Sequence, residues 1–279
     1  MLTDLKIFLV FFLITTALFA SDSKEDESQG VTQCFPLSLS PSIAETQDCY
    51  GTLDTVYERV IGLGKNCLTK AQINLFFNPQ GDHFSTKPGQ ADLLDWVSIE
   101  DYSLLIESLE KGFDNFFQKE SFKVTIPSHF HLTDTNCGVR WVHLLSNYIQ
   151  SVPENSKNDP NFLLQTFQEK AYDQEKSKID YLKKKFINAK NKNTIYILSK
   201  EPALPWETVL KLRNALTILR EGNKNFMMLL VSQQKIYDDF ENIIVRHTSN
   251  VNETYLVEPD QAAWSSIFKE FKFSPTLWQ

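Results

Sequence analysis

Phe226-Met-Met-Leu-Leu-Val231 is an unbroken run of apolar residues. A strand with one wet face alternates apolar and polar side chains, whereas a run with no polar residue belongs to a strand covered on both faces, as in the parallel sheets of α/β proteins. Upstream, Thr194-Ile-Tyr-Ile-Leu198 has the same character, and so does Ile243-Ile-Val-Arg246 downstream. Between the first two, Val209, Leu212, Leu216 and Leu219 stand at helical spacing, and Glu221-Gly222-Asn223 ends the segment. A last helix carries Trp264, Ile267, Phe268 and Phe271. Residues 162–190 read as strongly helical, with Ile179, Leu182 and Phe186 inward and Lys183-Lys-Lys185 on a solvated face. Near the start, Val56-Tyr-Glu-Arg-Val-Ile-Gly-Leu63 predicts a strand, and the following helix places Leu68, Ala71 and Leu75 on one face. Residues 101–118 predict a helix with Tyr102, Leu105, Ile106, Leu109, Phe113, Phe116 and Phe117 inward, and Gly138–Leu145 predicts a strand. Strands separated by helices require crossover connections, so the expected fold class is α/β, a mostly parallel sheet with helices on both faces. Ligands in such folds sit beyond the carboxyl ends of the strands.

The chain has 279 residues, 28 Lys+Arg and 35 Asp+Glu, for a net charge of −7. An acidic chain is a poor match for phosphate backbones, so no nucleic-acid partner is expected. Lys6 precedes the apolar run Ile7–Phe19, which ends at Ala20 before the polar Ser21–Glu27. The run is shorter than the roughly 20 residues of a membrane span. A basic start, a short apolar stretch and a small residue describe a secretory signal over residues 1–20. The expected product is secreted or periplasmic, with no stable membrane insertion after cleavage. Residues 21–54 read as an irregular extension and 55–279 as a single α/β domain. Of the four cysteines, Cys34 and Cys49 flank a Pro/Ser-rich loop and are candidates for a disulfide, while Cys67 and Cys137 present a second possible pair. Asn252-Glu-Thr254 fits a glycosylation acceptor.

Gly62-Leu-Gly64-Lys65-Asn66-Cys67 places a cysteine where a strand breaks into a helix. A helix N-terminus offers unpaired N–H groups and a positive dipole, which lower a thiol pKa and can hold an oxyanion. The competing reading of the same turn is a dinucleotide loop, but the third glycine position of G-x-G-x-x-G holds Cys67. No cofactor is assigned. His129-Phe-His131 share one face of a strand, with Asp134, Cys137 and His143 nearby in sequence. A zinc site would use such residues, yet neither HExxH nor CxxC is present, and no metal is assigned.

Val60-Ile-Gly-Leu-Gly-Lys-Asn-Cys67 resembles the LG-x-N-C start of a poorly characterised family of papain-like cysteine peptidases. That family continues with Pro-Phe-Asp-Trp, where this chain has Leu93-Leu94-Asp95-Trp96, and with a Gly-x-x-Phe-x-His strand, where it has Gly138-Val-Arg-Trp-Val-His143. Leu144 stands where an acidic residue would follow the histidine. The likeness covers about residues 55–235. It implies Cys67 as nucleophile, His143 as general base and Asp95 as the group that orients the imidazole or shapes the pocket beside Trp96. Asn66, Gly64 and the backbone at Cys67 would form the oxyanion and pocket region. It also brings an alternative fold, the α+β arrangement of papain. The implied function is an exported cysteine hydrolase acting on a peptide, ester or glycan-linked substrate. The alternative is a non-catalytic or transferase-like α/β module that binds glycans or nucleotide sugars.

Overall fold

In chain order, the elements begin with β1 (Val56–Tyr57), β2 (Arg59–Gly62) and α1 (Leu68–Phe77), then β3 (Val97–Ile99) and α2 (Tyr102–Glu110). They continue with β4 (Phe122–Thr125), β5 (His131–Asp134), β6 (Val139–Trp141), α3 (Ser146–Ile149), α4 (Pro160–Lys170) and α5 (Tyr172–Asn188). The last are β7 (Thr194–Ser199), α6 (Trp206–Leu219), β8 (Phe226–Ser232), β9 (Ile243–His247), α7 (Gln261–Phe268) and β10 (Lys272–Phe273). The computed structural model describes residues 50–63, 68–79, 91–95, 97–125, 131–141, 144–150, 152–200, 203–234, 237–248 and 261–277. These belong to one compact unit, Thr46–Gln279. The expected signal segment, the Cys34–Cys49 pair and Asn252-Glu-Thr254 lie outside the described residues.

The parallel sheet runs β2-β7-β8-β9, with Ile61 opposite Tyr196, Tyr196 opposite Met228, and Met228 opposite Ile243. Its side chains divide with period two between separate cores, as strand geometry requires. Ile61, Tyr196, Leu198, Met228, Leu230 and Val245 face one core together with α2 and α6. Val60, Ile195, Ile197, Leu229, Val231 and Ile244 face the other, with Ile73 of α1 and Trp264, Ile267 and Phe268 of α7. The apolar run at 226–231 is therefore buried on both sides, as expected from its composition.

A second sheet, β3-β6-β5-β4, is antiparallel throughout. One face presents the rows Val97–Trp141–Leu132–Val124 and Ile99–Val139–Asp134–Phe122, all buried. The expectation of a mostly parallel sheet thus holds for one sheet and is corrected by the other. Its strands are three or four residues long, too short to register as alternation in a sequence window.

One expected helix is also corrected. The helix expected over 101–118 ends at Glu110, capped at its start by Asp101, whose carboxylate accepts from the N–H groups of Ser103 (2.8 Å) and Leu104 (3.3 Å). Gly112 adopts φ 61° and its N–H reaches Leu109 O at 3.0 Å, while Phe113 N–H reaches Ser108 O at 2.7 Å. These bonds take up the last carbonyls of the helix and turn the chain away. Phe113, Phe116 and Phe117 are still fully buried, but through contacts such as Phe117 on Trp141 (5.2 Å) and on Tyr172 (6.0 Å, stacked). Their helical spacing reflected burial without helix. The segment 162–190 is two helices, broken at Ala171 (φ −127°).

Candidate functional site

Strand β2 ends at Gly62 and α1 begins at Leu68, so the expected strand-to-helix break lies where the sequence put it. Just before it, Leu63 is anchored twice: its N–H donates to Ile197 O (2.6 Å) and its carbonyl accepts from the Tyr102 hydroxyl (3.0 Å). Burial holds the Tyr102 phenol protonated, raising it well above its ordinary value. Gly62 sits against α1, where a Cβ would meet Thr69 Cγ2 at 3.3 Å. The first turns of α1 are enclosed on every side: Thr69, Lys70, Gln72 and Asn74 are as buried as Ala71 and Ile73. A helix with polar residues on a buried face needs polar partners there.

Lys70 finds such a partner in Asp95, with Nζ 2.8 Å from Oδ2 and both side chains nearly inaccessible, 3 % and 1 % exposed. The same Oδ2 accepts from Asp92 N–H (2.8 Å), and Asp95 N–H donates to Asp92 O (3.2 Å). Ala91-Asp-Leu-Leu-Asp95 is therefore a turn that buries Leu93 and Leu94 in the core and aims both carboxylates at cations. Asp92 is gripped by the Arg59 guanidinium through Nη2 and Nε. Arg59 also donates to Lys185 O (3.3 Å) and lies over the Phe186 ring. Lys185 Nζ donates to Ala91 O at 2.6 Å, closing the ring of contacts.

Burial pushes the Asp95 carboxyl above its usual value, opposed by Lys70 and, more weakly, by Lys185 and Arg59. Burial likewise pulls Arg59 down to about 10, which leaves it charged near neutral pH. Asp95 Oδ1 is buried and, among the described residues, accepts no hydrogen bond. An unsatisfied carboxylate oxygen in a dry site is costly and is the natural acceptor for an N–H brought to it.

Of the residues assigned from sequence, Asp95 is described. Cys67, His143, Asn66, Gly64 and Trp96 lie outside the described residues, as does His129. The remaining metal candidates do not converge. In β5 the burial pattern puts His131 and Thr133 on one face and Leu132 and Asp134 on the other. Asp134 is fully buried and accepts from Phe117 N–H (2.7 Å) and Asn136 N–H (3.0 Å), holding the turn in which Phe117 takes φ 58°. Among the described residues no group of three His, Cys, Asp or Glu side chains is placed to hold a metal. Cys137 is a free, buried thiol, so it forms no disulfide with Cys67; burial first and Asp134 second push its pKa far up, which makes it inert.

No local pattern in the sequence marks Arg59, Lys70 or Asp92. Lys185 was read as part of a solvated run, and that is corrected: it and Lys183 are half-buried, and Lys183 Nζ donates to Phe113 O at 3.1 Å. The available signal was indirect, Asp92 and Asp95 bracketing two leucines, since the apolar pair must go inward and carries the carboxylates with it. Compared with known proteins, the chain matches no family model, no curated protein and no solved structure.

Proposed function

We propose that this protein is a cysteine hydrolase acting by acyl transfer, with Cys67 as nucleophile, His143 as general base and Asp95 as the carboxylate that orients the imidazole. The observation that carries this reading is the placement of Asp95. Its one engaged oxygen is held by Lys70, three residues after Cys67 in sequence and in the first turn of α1. Its other oxygen is buried and open to a donor. Asp95 also lies two residues before Val97, which pairs antiparallel with Trp141, two residues before His143.

In the proposed cycle His143 takes the Cys67 thiol proton as sulfur attacks the carbonyl carbon of an amide or ester. N–H groups at the start of α1 receive the developing oxyanion. The tetrahedral adduct collapses as the imidazolium protonates the leaving amine or alcohol, leaving a thioester on Cys67. Water, deprotonated by the imidazole, then attacks the thioester, and the acid departs as the thiol is restored. Asp95 Oδ1 would accept from the other ring N–H and fix the tautomer.

Iodoacetamide labelling of the native protein as a function of pH tests this. Cys67 is expected to alkylate with an inflection below the ordinary thiol pKa of about 8.5, and His143→Ala is expected to return the inflection to that value. Cys67 found cross-linked, or alkylating with an unperturbed profile that ignores His143→Ala, overturns the proposal.

A further inference from the structure

At the other end of β2 the structure forms a cavity of about 360 Å³ that opens to solvent. Glu58 and Arg59 border it from the amino end of the strand, Phe77 from the last turn of α1, and Lys185 and Lys192 from α5 and the approach to β7. It lies at the amino end of the parallel sheet, because Arg59 pairs with Thr194, the first residue of β7. The break between β2 and α1 follows the carboxyl end, so this cavity is separate from the proposed catalytic turn. Its walls are of two kinds. Val60, Phe77 and Leu277 are apolar, and the charged lining consists of three cations, Arg59, Lys185 and Lys192, and two carboxylates, Glu58 and Asp92.

We propose that this cavity binds a small organic anion, a carboxylate or phosphate ester, with its charged head toward Arg59, Lys185 and Lys192 and a short apolar arm along Val60, Phe77 and Leu277. Three features favour an anion over a cation. Asp92 and Arg59 offset each other as an ion pair, which leaves the lining charges of Lys185 and Lys192 against Glu58. Glu58 is exposed and turned to the Asn193 N–H (3.3 Å), so neither carboxylate dominates the interior. The cluster of Arg59, Lys70 and Lys185 with Asp92 and Asp95, which supplies part of that wall, carries three positive charges against two negative ones. In a chain of net charge −7, such a local excess concentrates small anions.

The Lys185 ammonium registers the same excess. Burial is the larger cause of its depression to about 8; Arg59, Lys70 and Lys192 add to it, and Asp95 opposes. A bound anion raises that value again, so binding near pH 8 must draw a proton from solvent. Neither this site nor its test depends on the hydrolase reading.

The test is isothermal titration calorimetry of the wild-type protein with inorganic phosphate, acetate and hexanoate, at constant ionic strength near pH 8, in buffers of different ionisation enthalpy. Saturable binding of phosphate or hexanoate is expected, with proton uptake and with hexanoate tighter than acetate. Lys185→Met is expected to weaken binding about tenfold or more and to abolish the uptake. Lys192→Ala, an exposed change that leaves the fold alone, is expected to weaken it several-fold. Absence of saturable binding by every probe, equal affinity for acetate and hexanoate, or affinity untouched by both substitutions overturns the proposal.

Discussion

Replacing Lys70 with methionine keeps the length and volume of the side chain and removes its charge. Asp95 then remains, 1 % exposed, without the ammonium 2.8 Å from its Oδ2. Two routes are open to it. It can stay ionised, and breaking a buried pair in this way typically costs about 3–5 kcal/mol. Or it can take up a proton, which near pH 7 costs about 1.36 × (7 − 3.9) ≈ 4 kcal/mol against an unperturbed aspartate. The cheaper route sets the loss. Arg59 and Lys185 still act on the carboxylate and Asp92 N–H still donates to it, so the expected loss is about 2–4 kcal/mol near pH 7. The sign of its pH dependence follows. With Lys70 gone, the folded-state pKa of Asp95 rises further above the unfolded value, so the folded protein holds a proton that the unfolded chain has released. Stability of the variant relative to wild type must fall as pH rises from the wild-type pKa of Asp95, itself raised by burial, toward the still higher pKa of the variant, by up to about 1.4 kcal/mol per unit. Near pH 5 the loss shrinks to about 1.5 kcal/mol or less. Urea unfolding of wild type, Lys70→Met and Lys70→Met/Asp95→Leu at both pH values measures all of this. The double variant, which buries no lone charge, recovers most of the loss. A loss under about 1 kcal/mol near pH 7, or one that does not change with pH, would refute the assignment of a dry, coupled pair.

Gly138 has φ +64° and a Cβ there would stand 2.5 Å from Asp101 O, whereas Gly112 has φ +61° and open space around it. By chemical denaturation Gly112→Ala should cost about 1 kcal/mol of backbone strain and Gly138→Ala at least about 2 kcal/mol more, because the N-cap of α2 must move. Asp101→Ala, which removes the acceptor for Ser103 and Leu104 N–H, should cost about 1 kcal/mol in the same assay. Cys137, buried and pushed up in pKa, should react with a disulfide reagent only at the rate of global unfolding; fast native labelling there would contradict its burial. The Lys185 pKa is lowered, so below about 8 the fold carries the cost of its charge, and that cost is relieved as pH rises toward 10.5. Wild type should therefore gain stability relative to Lys185→Met across that window, as read from denaturation midpoints.

The parallel sheet was legible because its information is local. Phe226–Val231 carries no polar residue, and a strand with no wet face needs cover on both sides wherever it sits in the fold. The helix over Trp206–Leu219 was legible for the same reason, its buried Val209, Leu212 and Leu216 recurring at the period of one helical face. Phe113, Phe116 and Phe117 misled because spacing records which residues are buried and not which backbone buries them; Gly112 and the bond from Phe113 N–H to Ser108 O decided that. The strand-to-helix break before α1 was also readable, from its punctuation by glycine.

What the sequence by itself determined about this protein is where the chain must go inward: the apolar strands, the helix stripes and the leucine pair at 93–94. What only the tertiary structure decided is which charges follow them. Arg59 meets Asp92 across 33 residues of chain and Lys185 meets Ala91 across 94. In the sequence each of these side chains looks like a solvated surface group, because a charge is hydrated until folding removes its water. Whether it then becomes a liability or a partner depends on the opposite charge arriving at the same place, and no local pattern encodes that arrival.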